Sequence, residues 1–255
     1  MTIAESVISG LVQGLTEFLP VSSSGHLVLL HRFFGYEEPG VFFDVCLHAG
    51  TLLSVLVFFG PYIVSLAVKK DGRSLLMLFI ATLPAVGAAL LWGDAIEGFF
   101  TDPRSVAFFL LCTGVMLLAA QLRMYGQRNS GGVTRPVPAF LMGIAQALAL
   151  LPGISRSGST ISAGILSGVS EEEAFRFSFL MSIPAITGAL VFKSRSIGAA
   201  GLDLDTVTVY SAGILTAFVA GILSLYVLRK VLKFRKLYFF GIYCVAIGLT
   251  GLFRW

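Results

Sequence analysis

Gln13 and Glu17 are four residues apart within the apolar run 3–19, so on a helix they share one face. A carboxylate in apolar surroundings is costly to desolvate, and inside a membrane it marks a functional site by default. One carboxylate and one amide oxygen on the same face, with room for water, suit Mg²⁺ or Ca²⁺. The pair therefore predicts a divalent-cation site. The alternative is a buried Glu17 that hydrogen-bonds to a neighbouring helix.

A polar turn, Ser22-Ser23-Ser24-Gly25-His26, follows Pro20. Its hydroxyl and N–H groups can surround an anion, and the positive dipole end of a helix predicted at 27–34 points to the same place. The imidazole of His26 can act as a nucleophile or as a general acid or base near neutral pH. The turn predicts an anion site with a reactive histidine; a structural His26 is the alternative.

Arg156 stands in a second polar turn, PGISRSGST at 152–160. Its guanidinium is permanently charged and fork-shaped, which suits phosphate oxygens better than a lysine does. The turn adds hydroxyl groups and the start of another helix, so the segment predicts an anion site that includes Ser155, Ser157 and Thr160. The alternative is a structural ion pair between Arg156 and Glu17.

These two segments are copies of one pattern, GLVQGLTEFLPVSSSGH at 10–26 and GIAQALALLPGISRSGST at 143–160. The positions that match are Gly10, Gln13, Ser22, Ser24 and Gly25 with Gly143, Gln146, Ser155, Ser157 and Gly158. Polar, helix-breaking backbone at membrane depth persists only where protein buries it or it lines a watery cavity. Broken helices that recur in two halves of a membrane protein indicate a binding site.

The elements that must position these groups are membrane helices. Of the 255 residues, 56% are hydrophobic and 13% charged, against about 25% charged in soluble domains. Apolar runs long enough to cross a bilayer lie near 43–67, 74–92, 105–122, 172–192, 207–228 and 237–254. The shorter runs predict re-entrant helix hairpins at 3–34 and 138–168. We expect an all-α polytopic membrane protein with two inverted repeats, 1–125 and 136–255, each made of one hairpin and three spans.

The charges agree with that topology. Basic residues cluster in the loops 69–73, 123–135 and 229–236, which six spans place on one side of the membrane. The positive-inside rule makes this side cytoplasmic and puts both termini outside. The net charge of +4 therefore indicates membrane orientation rather than nucleic-acid binding.

Two further groups are of second rank. Asp44 and His48 are one helical turn apart and could bind a metal ion, although capping or a local hydrogen bond is the simpler interpretation. The acidic run 171–173 follows Ser170 and predicts the start of a helix.

The motifs at 13–26 and 152–160 resemble the (E/Q)xxxE and PGxSRSxxT signatures of the undecaprenyl-diphosphate phosphatase family, the integral-membrane bacitracin-resistance type, and the likeness runs from end to end. The resemblance implies hydrolysis of a C55 polyprenyl diphosphate to its monophosphate, which recycles the lipid carrier of cell-wall synthesis. It also implies a bacterial plasma membrane, a divalent cation and a site open to the outer face.

Carried over by motif position, the resemblance makes Gln13 and Glu17 the metal-associated pair, and His26 and Ser23 the candidates for nucleophile or acid and base. Arg156 would hold the diphosphate, with Ser155, Ser157 and Thr160. Gln13 stands where many family members have Glu, which weakens direct metal ligation at this position.

Two other functions compete. A transporter or flippase of an anionic polyprenyl-phosphate lipid needs the same anion site but no nucleophile, and a non-catalytic scaffold gives no reason to bury these charges. The sequence does not distinguish a monomer from a homodimer.

Overall fold

The computed structural model describes residues 1–27, 41–126, 131–133, 135–194 and 204–254. Their helices are α1 (Ile3–Phe18), α2 (Val41–Phe58), α3 (Gly60–Lys69), α4 (Gly72–Gly98), α5 (Pro103–Gly126), α6 (Pro136–Leu148), α7 (Arg156–Leu166), α8 (Glu171–Ser194), α9 (Leu204–Lys233) and α10 (Tyr238–Arg254). A further helix begins at 23–27. No strand occurs in these ranges beyond one isolated bridge between Gly131 and Val169.

Within the described residues, three helices are long and apolar enough to cross a membrane: α4, α5 and α9, over Gly72–Ile96, Pro103–Gly126 and Thr206–Lys233. A fourth span results if α2 and α3 count together, although they meet at 62°. The continuous span predicted near 43–67 is thus bent, because Pro61 stands in the first turn of α3 and cannot donate a backbone hydrogen bond across the junction. The spans predicted near 172–192 and 237–254 fall on α8 and on the shorter apolar helix α10.

Both polar turns break a helix as the sequence predicts. After α1, Ser22 has a positive φ of 70° and its hydroxyl accepts from the Gly25 N–H. After α6, the Ser155 hydroxyl accepts from the Gly158 N–H and caps α7. The two serines match in the sequence repeat and make the same hydroxyl contact, although Ser155 has an extended backbone with a φ of −70°. The remainder of the first hairpin, 28–34, lies outside the described residues.

The first helix of each polar segment packs closely on a long span. A Cβ at Gly10 would lie 2.4 Å from the Gly213 carbonyl oxygen of α9. A Cβ at Gly143 would lie 2.5 Å from the Ala81 carbonyl oxygen of α4. Only glycine permits such an approach of two backbones, so these matched glycines fix where the two breaks stand.

Buried aromatic rings form the core beside the breaks. The ring of Phe179 in α8 lies 5.5 Å from Phe18, 5.9 Å from Phe59 and 5.0 Å from Phe175, measured between centroids. Phe18 is the last residue of α1. The core therefore anchors the point at which the first break begins.

The acidic run at 171–173 initiates α8, as the sequence predicts. The Glu173 N–H donates to the Ser170 hydroxyl, and the three carboxylates pair with Arg235, Arg229 and Arg176.

The contact between α1 and α9 gives a test of this packing. Gly14→Ala places a methyl group 2.6 Å from the Ala217 carbonyl oxygen and 2.7 Å from the Ala220 Cβ. We expect it to lower the free energy of unfolding in detergent by about 1–3 kcal/mol, because the helices must separate. Gly87→Ala, in open space on α4, is the control and should not destabilise. Equal effects of the two variants on the denaturant midpoint would contradict the packing.

Candidate active site

Glu17 and Arg156 join the two breaks by a direct ion pair. Nη2 of Arg156 donates to Oε1 of Glu17 at 2.7 Å, and the two side chains are 15% and 8% exposed, respectively. The alternative of an ion pair between these residues is therefore realised. It does not use the whole guanidinium: Nη1 of Arg156 is buried and has no hydrogen-bond partner among the described residues.

Ser23 and Gln13 complete the contacts of the Glu17 carboxylate. The Ser23 hydroxyl donates to Oε2 at 2.6 Å, and Nε2 of Gln13 donates to the same oxygen at 3.0 Å. A carboxylate that accepts from a serine hydroxyl at this distance can take its proton, which makes the serine oxygen a nucleophile.

His48 is the imidazole beside this carboxylate. Its Nδ1 lies 3.1 Å from Nε2 of Gln13 and 3.8 Å from Oε2 of Glu17, and its side chain is 37% exposed. The sequence analysis placed it in the second rank with Asp44. Its neighbours are on α1 rather than on its own helix, and no spacing in the sequence reveals that contact.

His26 occupies a different place. Its Nδ1 lies 2.8 Å from the Ser22 carbonyl oxygen and its Nε2 2.7 Å from the Tyr243 hydroxyl. The ring stacks on that of Tyr243, with centroids 5.7 Å apart. Both ring nitrogens are thus engaged, and His26 is not among the described residues that line the cavity beside Glu17. Glu17 and Arg156 thus meet beside the cavity, and the imidazole next to them is that of His48 rather than that of His26.

A cavity of about 250 Å³ opens beside the ion pair. The polar residues on its wall are Thr16, Glu17, Ser22, Ser23, Ser24, His48, Gln146, Ser155 and Arg156. Apolar side chains of α8, including Ile186 and Leu190, line another part. A cavity with polar and charged side chains on one wall and apolar side chains on another suits an anionic lipid, which has a charged head group next to an apolar chain.

The rest of the second turn holds Arg156 in place. The Thr113 hydroxyl of α5 donates to the Gly153 carbonyl oxygen at 2.9 Å and accepts from the Ser155 N–H at 3.0 Å. The Thr160 hydroxyl lies within hydrogen-bond distance of both the Arg156 carbonyl oxygen and the Ser178 hydroxyl.

Four of the residues predicted to bind the substrate do not line the cavity: Gln13, Gly25, Ser157 and Thr160. Ser157 and Thr160 are fully buried, and Ser157 donates to the Leu19 carbonyl oxygen at 3.4 Å. Gly25 supplies the N–H that Ser22 caps. The last three residues of this set shape the two turns, whereas Ser22, Ser24 and Ser155 reach the cavity.

The family model of the bacitracin resistance protein BacA matches residues 6–250. The chain belongs to the BacA family. A member from Syntrophotalea carbinolica, named undecaprenyl-diphosphatase, is 41% identical over 258 residues that cover 97% of each chain. Proteins of the same name from Desulforapulum autotrophicum and Methanococcus vannielii are each 39% identical, over 99% and 98% of this chain and 98% and 99% of their own. The resemblance drawn from the two motifs is confirmed.

A divalent cation fits this BacA site in one way. Oε1 of Gln13 is buried without a hydrogen-bond partner in the described chain, and Nε2 of the same amide donates to the Glu17 carboxylate. No group of three or more His, Cys, Asp or Glu side chains able to hold a metal ion occurs in the described ranges. An ion held by Glu17 and Gln13 would take its other ligands from phosphate oxygens and water, as Mg²⁺ usually does.

The ion pair gives a test that does not depend on turnover. We expect Glu17→Gln to lower the free energy of unfolding by about 3–5 kcal/mol, because the Arg156 guanidinium is left without its countercharge. The double variant with Arg156→Met should lose less than the sum of the two single variants. Additive losses in a denaturant titration would contradict the contact.

Proposed function

We propose that this BacA protein hydrolyses undecaprenyl diphosphate to undecaprenyl phosphate and phosphate, recycles the carrier for cell-wall synthesis and so confers bacitracin resistance. Relatives of that name over nearly the whole chain support the substrate and the reaction. The observation that carries the chemistry is the Glu17 carboxylate, which accepts from the Ser23 hydroxyl while it pairs with Arg156.

An inverted repeat organises the membrane domain. If α1 corresponds to α6, then α4 corresponds to α9, and the main contacts exchange accordingly: α1 packs on α9 as α6 packs on α4. In the same way α2 contacts α9 as α8 contacts α4. Each hairpin thus rests on the middle span of the other repeat. The matched glycines Gly10 and Gly143 make these two approaches, which supports interdigitated repeats of one hairpin and three spans.

The repeat and the charges set the orientation. The basic loops are cytoplasmic, both termini are outside, and the first hairpin enters from the outer face. The diphosphate enters from the outer leaflet of the plasma membrane, and its isoprenoid tail stays between helices. The apolar side of the cavity, at α8, supports this path.

Ser23 is the nucleophile and Glu17 its base. In the first step the Ser23 oxygen bonds to the terminal phosphorus, the bond from that phosphorus to the bridging oxygen breaks, and the hydroxyl proton passes to Glu17. The lipid leaves as its monophosphate, and Glu17 returns its proton to water. In the second step Glu17 takes a proton from an attacking water and gives it to Ser23, the serine–phosphorus bond breaks, and phosphate leaves.

Arg156 stabilises the charge on the transferred phosphoryl group. Its Nη1 has donors that no described residue uses, while Nη2 keeps it against Glu17. Phosphoryl transfer depends mainly on positioning and on such fixed charge. A divalent ion held by Glu17, Gln13 and phosphate oxygens would supply further positive charge.

His26 positions the serine turn rather than reacting. Its contacts with the Ser22 carbonyl oxygen and the Tyr243 hydroxyl tie the turn to α10. Thr113, Ser157 and Thr160 do the same for the Arg156 turn.

A flippase of the same lipid is the second candidate, since repeats of broken helices are common in transporters. Release of phosphate distinguishes the phosphatase from the flippase. Purified wild-type protein in detergent should release phosphate from undecaprenyl diphosphate. Binding of the lipid without phosphate release would favour the flippase.

Removing the nucleophile tests the mechanism. Ser23→Ala should lower kcat by about a thousandfold or more, because the attacking oxygen is lost. Ser65→Ala is the control, since the Ser65 hydroxyl donates only within its own helix, to the Tyr62 carbonyl oxygen. Near-normal phosphate release by Ser23→Ala would assign the attack to water instead.

Chelation tests whether phosphate release requires a divalent cation. We expect a chelator to abolish phosphate release and Mg²⁺ to restore it. Gln13→Ala should raise the Mg²⁺ concentration needed for half-maximal rate, because one oxygen ligand is gone. An unchanged rate in excess chelator would contradict a cation requirement.

A further inference from the structure

Gln146 in α6 is buried, and its side-chain amide makes no hydrogen bond within the described part of the chain. The residue is 3% exposed, and neither Nε2 nor Oε1 has a hydrogen-bond partner among the described residues. It lines the same cavity as Glu17, Ser23 and Arg156. A buried polar group without a partner is destabilising, and such groups in folded proteins need an explanation.

The repeat explains why this amide is available. Gln146 matches Gln13, and Leu150 stands at the position that matches Glu17. In the first copy, Nε2 of Gln13 is taken up by Glu17 and lies next to His48. In the second copy Leu150 replaces that carboxylate, so no acid four residues further on takes up the Gln146 donors, and the residue lines the cavity.

Two hydrogen-bond donors of residues that line the cavity are complementary to an anion. Nη1 of Arg156 and Nε2 of Gln146 are both donors without partners in the described chain. An amide adds hydrogen bonds without adding charge, so it can fix an anion whose release must remain possible. Phosphate oxygens accept such bonds strongly because they are charged.

We infer that Gln146 is a substrate-positioning residue whose amide N–H donates to a non-bridging oxygen of the diphosphate held by Arg156. This inference rests on the proposed function. It assigns to the second repeat a role for its glutamine that differs from that of Gln13: the first glutamine serves the carboxylate, and the second serves the substrate.

The test relies on a variant that should lower activity without lowering stability. Gln146→Leu keeps the approximate size but removes the unbonded polar atoms, so the substrate-free protein should unfold at the same temperature or a higher one. Its kcat/KM for undecaprenyl diphosphate should fall about tenfold to a hundredfold, mainly through KM, because a hydrogen bond to a charged group is lost. Inorganic pyrophosphate should raise the unfolding temperature of the wild type and do so less for this variant.

Gln121 provides a matched control. It is also buried, at 2% exposed, but its amide is satisfied: Nε2 donates to the Arg235 carbonyl oxygen at 2.8 Å, and Oε1 accepts from the Tyr238 N–H at 3.2 Å. Gln121→Leu should therefore lower the unfolding temperature and leave kcat/KM unchanged below its transition. The inference therefore predicts that Gln146→Leu lowers kcat/KM without lowering the unfolding temperature, and that Gln121→Leu does the reverse.

A third variant, Gln146→Glu, keeps the shape and replaces the donors by a charge. It should reduce kcat/KM more than Gln146→Leu does, because the carboxylate repels the diphosphate.

The inference is overturned if either Gln146 variant keeps wild-type kcat/KM, or if Gln146→Leu destabilises as Gln121→Leu does while pyrophosphate still protects it fully. Wild-type protein that is protected by pyrophosphate through Gln146 but releases no phosphate would refute the proposed function and leave the anion-binding role intact.

Discussion

The ion pair of Glu17 and Arg156 is the contact on which the rest of the structure depends. It directly links the two chain breaks through residues that are 139 positions apart in the sequence, and each charge by itself would be costly in an apolar setting. Each side chain supplies the countercharge of the other. The contact also leaves part of each group outside the ion pair: Oε2 of Glu17 accepts from Ser23, and Nη1 of Arg156 has no partner among the described residues.

Breaking two helices inside an apolar protein exposes backbone groups, and neighbouring hydroxyls satisfy many of them. Ser22 and Ser155 cap the helices that follow, and Thr113 bonds both a carbonyl oxygen and an N–H of the second turn. The serines and threonines of the motifs thus divide into two groups. Some reach the cavity, and others, such as Thr160, are needed to hold the turn that presents Arg156.

Much of this was predictable from the sequence. The two breaks and the helix that starts at Glu171 follow from local rules: apolar length, the positions of proline and glycine, and acidic residues in the first turn of a helix. Charge in apolar surroundings singles out Glu17 and Arg156 as candidate site residues. The two breaks also share one sequence pattern. What local rules do not give is which side chains meet across helices.

The histidines illustrate this limit of sequence reasoning. His26 lies within a motif, and its two ring nitrogens contact the Ser22 carbonyl oxygen and the Tyr243 hydroxyl. His48 lies outside both motifs and stands beside Glu17, because α1 and α2 pack together. The surroundings of each histidine depend on tertiary contacts. The same holds for the 62° angle between α2 and α3, although Pro61 marks the position of the bend.

The contact between the two breaks is tested most directly by a cross-link between them. A Cβ at Gly158 would lie 3.2 Å from the Cβ of Pro20, close to the about 3.5–4.5 Å that a disulfide requires. In a chain whose Cys46, Cys112 and Cys244 are replaced by serine, Pro20→Cys with Gly158→Cys should form a disulfide in native membranes under mild oxidation and lose both free thiols. Two thiols that remain fully reactive in folded protein would contradict the meeting of the breaks and, with it, the active site described for this chain.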